Sequence, residues 1–60
     1  MTIPISEQIA CVQREIKMRE RVYSRWVENG RMTKKKADAE LEAMRAVLDT
    51  VRQADKGLFT

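Results

Sequence analysis

Histidine is absent, and cysteine, proline, tryptophan, tyrosine and phenylalanine occur once each. Each shortage excludes something. Without histidine, a serine or cysteine nucleophile lacks its commonest base, and a metal ion lacks its commonest ligand. Cys11 stands alone, so no internal disulfide can form, and a single thiol fits a reducing compartment. No apolar run approaches the roughly 18 residues of a membrane span. The opening Met1-Thr2-Ile3-Pro4-Ile5 lacks the basic segment and long apolar stretch of a secretory leader. These features predict a soluble, cytoplasmic protein with no membrane partner and no cofactor. The 60 residues form one domain, 1–60. At this size a core by itself rarely contributes more than about 3–5 kcal/mol. With disulfide and metal set aside, self-association is the reinforcement left.

What the chain does have is period. Ile9, Val12, Ile16, Arg19, Tyr23 and Trp26 recur at alternating steps of three and four, as do Ala37, Leu41, Met44, Leu48 and Val51. That spacing lines one side of an α-helix. Between the two repeats, Asn29-Gly30-Arg31-Met32-Thr33 reads as stop, turn and restart. The expected fold is all-α, an antiparallel two-helix hairpin over about 6–29 and 33–56. Ser6 is the expected N-cap of the first helix and Thr33 of the second, with Met32 placed to staple against Ala37. Gly57 is the expected C-terminal stop. Folding the chain at Gly30 pairs Trp26 with Ala37, Tyr23 with Leu41, Arg19 with Met44, Ile16 with Leu48 and Val12 with Val51. Large side chains then meet small ones, as interdigitated packing requires. The same register brings Ile3 and Ile5 towards Leu58 and Phe59 at the open end.

Each helix carries more apolar arc than one neighbour can cover. Cys11, Met18 and Val22 extend the first stripe round one side, and Ala43, Val47 and Ala54 belong to a strip of small residues beside the second. Such surfaces mark association. The simplest closed solution is a homodimer, two hairpins forming a four-helix bundle.

Charge is concentrated at the turn. Residues 6–29 carry five basic and four acidic side chains, and residues 37–55 carry two basic and five acidic ones. Residues 30–36 carry Arg31, Lys34, Lys35 and Lys36 and no acid. Three lysines in a first helical turn oppose the helix dipole. One reading is a solvated basic turn that costs little in salt. The other is an anion or nucleic-acid patch of Arg25, Arg31, Lys34, Lys35 and Lys36 around the free N–H groups of the helix start.

The remaining candidates read as structural. Arg19 interrupts the stripe and is expected to pair with Glu15 or Glu40, or with an acid of a second subunit, fixing register. Trp26 reads as a plug for the tip against small Ala37, with a stacking platform as the alternative. Tyr23 is expected to pack its ring and to reach Glu40 or solvent with its hydroxyl. Cys11 reads as a small buried hydrophobe at the edge of the arc rather than a reactive thiol. Asp38, Glu40, Glu42 and Asp49 read as solvated acids. No catalytic residues or metal ligands emerge.

The run Val22-Tyr23-Ser24-Arg25-Trp26-Val27-Glu28-Asn29-Gly30-Arg31-Met32, followed by Ala37-Asp38, Glu40-Leu41, Met44 and Ala46-Val47-Leu48, resembles a family of small helical proteins encoded by tailed bacteriophages and prophages of Gram-negative bacteria. The likeness runs from Ile5 to Val51. It implies an origin and a host bacterial cytoplasm, and it brings no catalytic residue. The reading is therefore a non-enzymatic accessory protein. It acts as a self-associating interaction module towards a host or phage protein, with nucleic-acid binding at the tip as the alternative.

Overall fold

The hairpin turns at a single left-handed residue, Gly30, with φ +74°. In the computed structural model, which describes residues 2–55, α1 spans Ile5–Glu28 and α2 spans Lys34–Asp55, packed antiparallel with no strand among the described residues. The molecule is elongated, 43 × 19 × 15 Å, with helices of 24 and 22 residues, about 36 and 33 Å long, running along it.

Local chemistry sets each boundary. At the end of α1 the Gly30 N–H donates to the Val27 carbonyl (3.2 Å) and the Arg31 N–H to the Trp26 carbonyl (2.9 Å). These two bonds satisfy carbonyls that the helix leaves free, and they require a positive φ between them, which glycine adopts without steric cost. At the start of α2 the Thr33 hydroxyl accepts the Lys36 N–H at 3.1 Å, the expected cap.

The start of α1 differs from expectation. The helix begins at Ile5, and Pro4, not Ser6, holds the cap position with φ −56° and ψ 146° and no side-chain cap bond. The Pro4 carbonyl accepts the N–H groups of Glu7 and Gln8 at 3.1 and 3.2 Å. A proline has its φ already fixed and no N–H to leave unpaired, so it opens a helix one residue ahead of the serine. The Gln8 amide closes the end by donating to the Ile3 carbonyl at 2.9 Å.

The core is thin. Ile16, 8% exposed, and Ala37, 5% exposed, are the buried residues among those described, while Val12, Tyr23, Leu41, Met44, Leu48 and Val51 are half-buried. Ile16 and Leu48 border one cleft between the helices. Tyr23, Ala37 and Leu41 border the next one towards the tip. Between these levels the Arg45 guanidinium reaches the Glu20 carboxylate at 2.9 Å. This is the register in which Ile16 meets Leu48 and Tyr23 meets Leu41.

Trp26 is not the enclosed plug that its position suggested. Its ring stays 37% exposed and tilts against Tyr23, with centroids 5.8 Å apart and planes at 36°. Ala37 is covered, whereas Trp26, in the last turn of α1, is not. At the open end Ile3 is exposed. The expected contributions of Gly57, Leu58 and Phe59 lie outside the described residues.

Candidate functional site

Two surfaces remain after the hairpin has closed. The first is the apolar flank. Cys11, Met18, Ala43, Val47 and Ala54 are all exposed, and Val22 is half-buried. Cys11 is therefore not the buried hydrophobe expected, because it lies beyond the arc that α2 covers. Met18 keeps 43% and Val47 46% of their surface in water. At about 100° per residue, Glu20 and Arg45 fall on one broad face of the hairpin, and the bridge between them confirms their shared side. On the same count Met18, Val22 and Trp26 of α1 and Ala43 and Val47 of α2 fall towards the opposite face. One broad side is thus polar and bridged between the helices, and the other carries most of the exposed apolar side chains.

Two ion pairs within single helices interrupt the greasy side, Arg19–Glu15 on α1 and Lys36–Glu40 on α2. Arg19 Nη2 lies 3.4 Å from Glu15 Oε1, one helical turn back. Of the partners the sequence offered, the structure selects Glu15, because a spacing of four residues brings the two side chains together without crossing the hairpin. Glu40 is engaged elsewhere, by Lys36. Both Arg19 and Glu15 are only about a third to two-fifths exposed at the side chain, 35% and 41%.

The second surface is the basic tip. Arg25, Arg31, Lys34, Lys35 and Lys36 are all exposed, but they do not act as one patch. Lys34 Nζ reaches Asp38 at 3.2 Å and Lys36 Nζ reaches Glu40 at 3.1 Å, each four residues along α2. The Lys36 N–H is taken by Thr33, so one of the donors expected to face an anion is already satisfied. Among the described residues Arg25, Arg31 and Lys35 make no ion pair. The acids that neutralise the other two lysines, Asp38 and Glu40, were legible at i+4 and are the residues the anion-site reading left out.

The described residues bring together no group of three potential metal ligands, and no described helix is long and apolar enough to cross a membrane. The chain matches no protein-family model, no curated protein and no solved structure.

Proposed function

We propose that this protein is a non-enzymatic interaction module whose first partner is a second copy of itself, two hairpins joining through their apolar flanks into a four-helix bundle. The observation that carries this reading is how little the lone hairpin encloses: Ile16 and Ala37 are buried, while Met18, Trp26 and Val47 face water. A role as a phage or prophage accessory protein in a bacterial cytoplasm rests on the sequence resemblance and belongs to the same proposal.

Nucleic-acid binding at the tip is the second reading. Exposed Arg25, Arg31 and Lys35 favour it, and the intrahelical pairing of Lys34 and Lys36 weakens it. Sedimentation equilibrium over a hundredfold range of concentration tests the main reading. The expected result is a reversible dimer, with emission of the sole tryptophan, Trp26, shifting to the blue as the dimer forms. A hairpin that stays folded and monomeric throughout overturns it.

A further inference from the structure

Resting on the self-association just proposed, we infer that the two copies are related by a two-fold axis perpendicular to the helices. It lays α1 antiparallel on the α1 of the second copy, with the basic tips at opposite ends of the bundle. The side of α1 that flanks its seam with α2, exposed or half-buried along its length, is self-complementary about position 17. Read along that face it runs Gln8, Val12, Glu15, Arg19, Val22, Trp26. In a two-fold contact, if residue i meets residue j, then j meets i. Reversal about position 17 sets Val12 against Val22 of the second copy, Glu15 against its Arg19, and Gln8 against its Trp26. Apolar groups meet apolar groups, each charge meets its opposite, and the amide meets the partly open indole. The pair that now closes within one helix at 3.4 Å becomes a ring of two carboxylates and two guanidinium groups across the axis.

The hairpin's own register independently leads to the same axis. Ile16 shares a cleft with Leu48, and Glu20 reaches Arg45, so position 17 of α1 is level with position 47 of α2. Val47 then lies on the axis and meets Val47 of the second copy, with Met18 beside it. These two are the most exposed large hydrophobic residues of the described helices, at 46% and 43%. Val47 is covered at the centre of the contact and Met18 at its edge.

The competing two-fold axis runs along the helices and stacks α1 on the α2 of the second copy. That arrangement matches large side chains of α1 with small ones of α2. It also leaves Glu15 and Arg19 diagonal to their counterparts, with no charge pairing across the contact, and sets the two basic tips at one end of the bundle. Like charges gathered at one end oppose association.

The distance between the tips separates the two. Arg31→Cys in a Cys11→Ser background, spin-labelled and measured by pulsed dipolar spectroscopy alongside sedimentation, reads it directly. Lys35→Cys, at an exposed position in the first turn of α2, serves as a second label site. A dimer with tips about 40 Å apart, from about 14 residues of helix on each side of the axis, supports the perpendicular axis. A dimer with tips within about 20 Å, or a broad spread of distances, overturns it and leaves self-association standing. A folded monomer with no dipolar signal overturns both.

Discussion

Glu20 Oε2 and Arg45 Nη2 meet at 2.9 Å across the hairpin, the one ion pair among the described residues that joins the two helices. Both side chains are about half exposed, at 45% and 52%. Solvent screening holds such a pair to about 0.2–1 kcal/mol. The pair therefore specifies register more than it stabilises. A double-mutant cycle with Glu20→Gln and Arg45→Gln, followed by urea unfolding, should return a coupling of about 0.5 kcal/mol that shrinks in high salt. A coupling above about 2 kcal/mol would mean that the pair is far better shielded from water than this geometry allows.

The two helix starts should respond differently to alanine. Thr33→Ala removes the hydroxyl that accepts the Lys36 N–H and should cost about 1 kcal/mol, with Thr33→Ser restoring most of it. Ser6→Ala should be neutral within about 0.5 kcal/mol, because Pro4 and not Ser6 occupies the cap. Thermal unfolding of the three variants checks the contrast.

Gly30 holds φ +74° with open space around the position of a missing Cβ. Gly30→Ala therefore meets no clash and incurs only the left-handed backbone penalty, about 1–2 kcal/mol. Chemical synthesis is practical at this length, and D-alanine at position 30 should instead stabilise the turn, since it prefers that conformation and lowers the freedom of the unfolded chain. If L- and D-alanine lower the melting temperature equally, the turn is not the left-handed one described.

Ile16 and Met18 are two residues apart and should fail in different ways. Ile16→Ala opens the thin core and should cost about 2–4 kcal/mol of stability. Met18→Glu combined with Val47→Glu touches neither Ile16 nor Ala37, and should reduce the sedimenting mass to that of one hairpin at concentrations where the parent protein is a dimer. Should the charged double variant remain a dimer, the apolar flank is not the contact surface.

At the tip, a shift assay with short DNA and RNA over a series of salt concentrations separates the basic residues by role. If the tip binds nucleic acid, changing Lys34, Lys35 and Lys36 together to Gln should lower affinity and flatten the salt dependence. Arg31→Gln combined with Lys35→Gln should account for most of that loss, because Lys34 and Lys36 already face Asp38 and Glu40. Unchanged binding in the triple variant removes the nucleic-acid reading.

The fold was readable where the determinants are local. The glycine stop and the Thr33 cap each depend on a handful of consecutive residues, and the periodic stripes fixed which sides of the helices meet. Two features were not readable for physical reasons. The start of α1 was a contest between two neighbours able to open a helix, and the backbone constraint of Pro4 prevailed over the hydroxyl of Ser6. The exposure of Trp26 depends on depth, and a helical wheel assigns a direction without saying how much protein lies beyond it. Of the candidate surfaces, the apolar flank followed from arc width. The partial neutralisation of the tip was present as two lysine–acid spacings of four residues, which carry more weight for the outcome than the lysine count did.

Ile16 and Ala37 are the described side chains that packing holds on nearly every side. Apart from the turn and cap at Gly30 and Thr33, an exchange at another described position that keeps the polar or apolar character of its site should cost the hairpin little. A gene of this kind can drift through most of its codons while its product still bends at the same glycine, so kinship between its descendants will outlast any visible likeness in their letters.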